Sequence, residues 1–172
     1  MTACLATKDR RSRTWVVIAL CALLAACAGP GSRERQTAER NPRIDPAQRT
    51  EVVMTALSLL DTRYRYGGSR FQQGFDCSGL VKYVFGAATD TPLPHNTEQI
   101  ARISRPVSRG QLQPGDLVFF NTTGQPNSHM GIYLGDNRFI NAQSTGGQVR
   151  IDSLASPYYQ RHFESVGTLF AR

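Results

Sequence analysis

Past residue 44 the hydrophobic positions follow a helical spacing first and a strand alternation later. Asp45 followed by Pro46 reads as a helix N-cap and first position, and Val53, Leu57 and Leu60 continue at helical spacing. Arg63 to Gly68 is a short extended or turn segment ending in paired glycines. From Asp76 the positions Leu80, Val81, Val84 and Phe85 again fit a helix, which puts Cys77 at its N-terminus. A break at Pro92 to Asn96, a short helix from Thr97 and a loop through Pro114-Gly115 follow. The remainder reads as strands at Asp116 to Phe120, His129 to Leu134, Arg138 to Gln143, Val149 to Asp152 and Val166 to Ala171. Helices first and strands second make an α+β domain with a mainly antiparallel sheet.

The start of the chain has a different pattern. Lys8, Arg10, Arg11 and Arg13 precede an apolar run from Trp15 to Ala26, the arrangement of a signal peptide. Those twelve residues span about 18 Å as a helix, short of the ~30 Å membrane core. Leu24-Ala25-Ala26-Cys27 resembles a bacterial lipobox, so Cys27 is expected to become the lipidated first residue. Ala28 in place of aspartate points to the outer membrane, with the domain on its periplasmic face. Ala28 to Ile44 has no aromatic residue and almost no large aliphatic one, and so reads as a tether. The expected division is residues 1–26 as signal peptide, 27–44 as lipidated N-terminus and tether, and 45–172 as one folded domain.

The formal charge of +7 suggests an acidic partner until its location is considered. From Cys27 onward sixteen basic residues face twelve acidic ones, without a block of like charges. That distribution argues against nucleic-acid binding.

Cysteine usage narrows the chemistry. Cys4 and Cys21 leave with the signal peptide and Cys27 carries lipid, so Cys77 is the one remaining thiol. Such a thiol in an oxidising compartment needs a use or burial. At a helix N-terminus it is expected to ionise below its ordinary pKa of about 8.5, and its own amide is positioned to hold an oxyanion. The chain offers His95, His129 and His162 as bases. His95 sits in a Pro-rich loop and His162 in a polar, aromatic segment, and both read as surface residues. His129 opens a strand whose core face is Met130, Ile132 and Leu134, leaving His129, Gly131 and Tyr133 on the other face, with a cleft expected over Gly131. A three-residue loop Gly135-Asp136-Asn137 puts Gln143 opposite His129 and Asn141 diagonal to it on one face. A two-residue loop turns Asn141 away. Asn141 is the favoured group to orient the imidazole, with Gln143 its competitor.

Arg63-Tyr64-Arg65-Tyr66-Gly67-Gly68, Phe75-Asp76-Cys77-Ser78-Gly79-Leu80-Val81, Pro114-Gly115-Asp116-Leu117-Val118-Phe119-Phe120 and His129-Met130-Gly131-Ile132-Tyr133 resemble the NlpC family of cell-wall cysteine peptidases. The resemblance spans nearly all of residues 50 to 172. It implies a papain-like α+β fold, with N-terminal helices packed on a mainly antiparallel five- to six-stranded sheet. It also implies Cys77 as nucleophile, His129 as base and Asn141 as the third member of the triad, where many similar lipoproteins carry histidine. Tyr64 is expected to assist the oxyanion, with Ser78 and Asp76 as further oxyanion or substrate contacts. His95 stands where the family usually has arginine. The implied substrate is peptidoglycan, cut at a D-alanine or D-glutamate to diaminopimelate amide, without metal or cofactor. The rival readings are a Cys/His acyltransferase and a catalytically inactive wall-binding lipoprotein.

Overall fold

A computed structural model describes residues 41–145 and 147–171. The expected signal peptide, Cys27 and most of the tether lie outside these residues. Ile44, read as the end of the tether, belongs to the fold. It is 5% exposed and bridges Phe170, its N–H donating to the Leu169 carbonyl and its own carbonyl accepting from Ala171.

Asp45 accepts a bond from the Ala47 N–H at 2.9 Å and starts the 3-10 turn Pro46–Gln48, which runs into helix α1, Arg49–Leu57. Val52 and Ala56, with Leu59 in the turn that follows, form the buried stripe, while Val53, Leu57 and Leu60 flank it. The expected spacing was right and the phase one residue off, because both stripes contain apolar residues. The short hairpin β1 (Ser69–Arg70) and β2 (Gly74–Phe75), absent from the sequence expectation, leads directly into α2 (Cys77–Thr89). Then come α3 (Thr97–Ile103), β3 (Arg105–Pro106), β4 (Leu117–Phe120), β5 (His129–Gly135), β6 (Arg138–Gln143) and β7 (Gln148–Ser153). The chain ends in α4 (Pro157–His162) and β8 (Phe163–Thr168). The sequence reading missed α4 and began the last strand at Val166, three residues late. Ser156 caps α4 and Pro157 opens it, so a local signal was present.

Six strands form one antiparallel sheet in the order β3-β8-β4-β5-β6-β7. Leu117, Phe119, Met130, Ile132 and Ile140 point to one face and share a core with α1 and α2. Val118, Phe120, Phe139 and Val166 point to the other, under Tyr159 of α4. Both faces are therefore dry. Arg49 ties α1 to the start of β4 through an ion pair of 2.9 Å with the buried Asp116, and its guanidinium stacks 4.2 Å from the Phe170 ring centre.

The β5–β6 connection differs from the expected loop. Asp136 and Asn137, with φ of 50° and 56°, form a two-residue turn between the paired Gly135 and Arg138. Both central residues lie in the left-handed region, as tight hairpins prefer. The register then shifts between Tyr133 and Gly135, so that Tyr133 pairs with Phe139 and Ile132 with Ile140. The irregularity restores the parity that a two-residue loop alone would break, and Asn141 stays on the face of His129.

Candidate active site

Asp76 fixes the start of α2. Its Oδ1 accepts from the Gly79 N–H at 2.7 Å and from the Ser78 hydroxyl at 3.0 Å, and its Oδ2 from the Gly67 N–H at 2.9 Å. One carboxylate thus caps the helix that begins at Cys77 and holds the glycine turn after Tyr66. Gly79 is required by that turn: a Cβ there would lie 1.9 Å from the Gly68 carbonyl oxygen. The backbone that approaches Gly79 so closely is the protein's own. The Ser78 hydroxyl is committed to Asp76.

Cys77, half-buried, opens onto a cleft of about 600 Å³ whose walls include Tyr64, Asp76, Ser78, His95, His129 and Gln143. A smaller hollow of about 350 Å³ lies around Arg49 and Asp116, but their charges are already paired with each other. The larger cleft holds the thiol and is the size of a ligand site. Among the described residues no group of three His, Cys, Asp or Glu side chains is placed to hold a metal ion.

His129 enters the cleft at the beginning of β5. Its ring lies 6.0 Å from that of Phe120, its partner across β4, and its Nε2 is 2.9 Å from Asn141 Oδ1. Asn141 is wholly buried, and its Nδ2 donates to Asp152 Oδ2 at 2.9 Å. Gln143 makes no bond to His129; its Oε1 accepts from Arg150 and lies 3.1 Å from the Tyr159 hydroxyl oxygen. No cleft lies over Gly131, where a Cβ would meet the Phe139 ring at 2.6 Å. The second sheet face is filled by aromatics from β6 and α4, so the open space is at the end of β5.

His95 is not the isolated surface residue its loop suggested. Its Nε2 contacts both Asp76 oxygens, at 3.0 and 3.1 Å, and its side chain is 26% exposed. His162 bonds the Tyr158 carbonyl at 2.7 Å on α4 and belongs to that helix's last turn.

The electrostatics overturn one expectation. Burial pushes the Cys77 thiol up to about 11, and the adjoining Asp76 carboxylate adds to the rise, against bonds from the Ser78, Met130 and Cys77 amides. The carboxylate that caps α2 offsets the helix's positive end where the thiolate would have used it. Burial lowers the His129 pKa; the bond that Nε2–H gives to Asn141 Oδ1 and the charge of Asp152 oppose this, and Arg150 adds to it. Both shifts favour a neutral thiol and a neutral imidazole in the resting cleft. Burial, with Cys77 and Asp76 nearby, also raises the Tyr64 hydroxyl, which therefore remains a proton donor.

Known proteins share this arrangement of chain. Murein DD-endopeptidase MepH of Escherichia coli is 39% identical over 118 residues, covering 66% of this chain and 44% of its own. The probable endopeptidase NlpC of the same organism is 44% identical over 103 residues, covering 59% and 66%. The γ-DL-glutamyl hydrolase of Bacillus subtilis is 41% identical over 124 residues, covering 71% of this chain and 30% of its own. The chain spans under half the length of the first and last of these. Among solved structures, a lipoprotein-like NLP/P60 protein of Staphylococcus aureus superposes with a TM-score of 0.67 at 27% identity, over 77% of this chain and 44% of that one. The NlpC/p60 domain of the peptidoglycan hydrolase SagA superposes at 0.60 and 27% identity, over 70% and 97%. The model of the NlpC/P60 family matches residues 61–168, and with the papain-like α+β architecture this establishes that the chain belongs to the NlpC/P60 family.

Proposed function

We propose that the protein is a peptidoglycan endopeptidase that cleaves an amide of the peptide stems or crosslinks through Cys77, His129 and Asn141. The observation that carries the reading is the thiol of Cys77 in one cleft with an imidazole whose Nε2 is 2.9 Å from a buried amide oxygen. Relatives named murein DD-endopeptidase and γ-DL-glutamyl hydrolase support amide hydrolysis beside D-configured residues and leave two candidate bonds, D-alanine to diaminopimelate and D-glutamate to diaminopimelate.

Burial raises the thiol and lowers the imidazole, so in this reading the proton moves during attack. As the Cys77 sulfur bonds to the substrate carbonyl carbon, His129 takes the thiol proton, and the carbonyl oxygen becomes an oxyanion. The Cys77 N–H and the protonated Tyr64 hydroxyl are the donors for it. Collapse breaks the C–N bond, and the imidazolium gives its proton to the departing amine. His129 then deprotonates a water that attacks the thioester, returning acid product and free thiol. Release of peptides without an added amine acceptor separates this hydrolysis from acyl transfer.

Lipidation at Cys27 would tether this domain on the periplasmic face of the outer membrane, beside the wall, as the sequence Leu24-Ala25-Ala26-Cys27-Ala28 supports. Labelling with a palmitate analogue should mark the wild type and not Cys27→Ala; equal labelling would contradict the anchor. Mass spectrometry of purified peptidoglycan after digestion identifies the bond. Appearance of either candidate product supports the function, and an unchanged peptide pattern rejects it.

A further inference from the structure

Beyond the three residues proposed to react, a side chain on β7 governs which way the third one faces. Asp152 Oδ2 receives Asn141 Nδ2 at 2.9 Å, Arg150 Nε at 2.9 Å and the Tyr159 hydroxyl at 3.1 Å. An ionised carboxylate only accepts, so the amide of Asn141 turns its nitrogen to Asp152 and its oxygen to His129. A terminal amide is nearly symmetric in shape, and burial alone leaves both orientations possible; the Arg150 carbonyl also accepts from Nδ2, at 3.4 Å, and the shorter contact to Asp152 is the stronger one. We infer that Asp152 is a positioning residue of the active site: by holding the Asn141 amide in one orientation it fixes His129 with hydrogen on Nε2 and the lone pair on Nδ1.

The inference rests on the roles proposed for Cys77, His129 and Asn141. If the amide turned over, Asn141 would donate to Nε2, and the imidazole would carry its hydrogen on Nδ1 instead. The network opposes this. With its nitrogen turned to His129, Asn141 would face Asp152 with an oxygen, placing two acceptors against each other. Tyr159 reinforces the arrangement from α4, since its hydroxyl lies 3.1 Å from Gln143 Oε1 and 3.4 Å from Asn141 Oδ1 as well as near Asp152. Burial and Asp152 both raise that hydroxyl's pKa, so it stays a donor. The charged groups facing this end of the site are Asp152 and Arg150 of β7. The negative one favours the imidazolium that forms when His129 takes the thiol proton, and Arg150 opposes it. Charge and orientation are thus two separable contributions. Oδ2 carries all three contacts, so asparagine at 152 can keep its oxygen there and lose the charge alone.

The test uses full-length protein in detergent, labelled with 15N on histidine, with turnover of purified peptidoglycan peptides. In Asp152→Ala the His129 nitrogen shifts should move from a single Nε2–H pattern toward the other tautomer. The turnover number should fall about 10- to 100-fold, as when an outer partner of a metal-binding histidine is removed, with KM within about twofold. Asp152→Asn should keep the wild-type tautomer, lose less turnover and move the acid limb of the rate to lower pH, because the imidazolium loses its countercharge. A wild-type turnover number in both variants, or a single Nε2–H pattern retained in Asp152→Ala, overturns the inference. Asp152→Leu, which also lacks an acceptor, repeats the tautomer readout if alanine prevents folding. Cys77→Ser and His129→Ala run alongside: activity in either one rejects the underlying roles, whereas inactivity in both with unaffected Asp152 variants rejects only the role of Asp152.

Discussion

His95 Nε2 lies 3.0 and 3.1 Å from the two oxygens of Asp76, so the residue ahead of the thiol is held from a loop eighteen positions beyond Cys77. The same carboxylate takes the Gly79 and Gly67 amides and the Ser78 hydroxyl. Asp76→Ala removes a helix cap and strips these donors of their acceptor, and should lower unfolding free energy by about 2 kcal/mol. His95→Ala leaves the carboxylate with its other three donors and should cost about 1 kcal/mol or less. Urea titrations rank the two, and a larger loss in His95→Ala would contradict this account of the cap.

The pKa shifts predict the pH behaviour of the resting enzyme. With the thiol pushed up to about 11, iodoacetamide should modify Cys77 slowly at pH 7 and faster as pH rises past 9. Mass spectrometry of the tryptic peptide Phe71 to Lys82 reads this residue separately from the other cysteines. Ready alkylation below pH 7 would show a resting thiolate instead. With His129 lowered, the base stays neutral and the acid limb of turnover should lie below pH 6.5.

Stability should follow the same shifts. A thiol raised in the folded state contributes stability that is present below its unfolded pKa of about 9 and lost as pH rises toward 11. An imidazole lowered in the folded state contributes stability that is present above about 6.5 and lost as pH falls through its folded value. Urea midpoints should therefore decline more steeply in wild type than in Cys77→Ala above pH 9. Parallel curves would remove the burial of the thiol from the explanation.

Two glycines of α2 should respond oppositely to alanine. Gly79 faces the Gly68 carbonyl, where an added Cβ would lie at 1.9 Å, so Gly79→Ala should destabilise by about 1 to 3 kcal/mol and disturb the wall beside Cys77. Gly86 has nothing within 4 Å of a built Cβ, and Gly86→Ala should stabilise by about 0.5 to 1 kcal/mol. Thermal unfolding of the pair checks both signs.

What was legible in the sequence was the chemistry that depends on local pattern. Helical spacing after Asp76 put Cys77 at a helix start, and strand alternation put His129 and Asn141 on one face. The turn after β5 was misread although Asp136 and Asn137 suit a two-residue turn, because the compensating irregularity at Leu134, which keeps Asn141 on the face of His129, leaves no local signal. His95 and Asp152 were missed because their importance lies in which carboxylate or amide they meet, and those partners come from distant parts of the fold. The upward shift of the Cys77 thiol was not legible because a helix N-terminus is visible in sequence, whereas burial of the sulfur and the closeness of Asp76 to it are not. Tyr159 was within reach: Ser156-Pro157 is a helix start, and a helix there covers the second sheet face.

The most direct test of the central claim is the release of soluble peptides from purified peptidoglycan by the wild type and by Cys77→Ser, followed by mass spectrometry with folding checked by circular dichroism. A hydroxyl has a far higher pKa than a thiol and gives its proton to the same imidazole far less readily, in a site shaped for sulfur, so the account predicts cleavage by the wild type and none detectable by the folded serine variant. Retained cleavage by Cys77→Ser would contradict it.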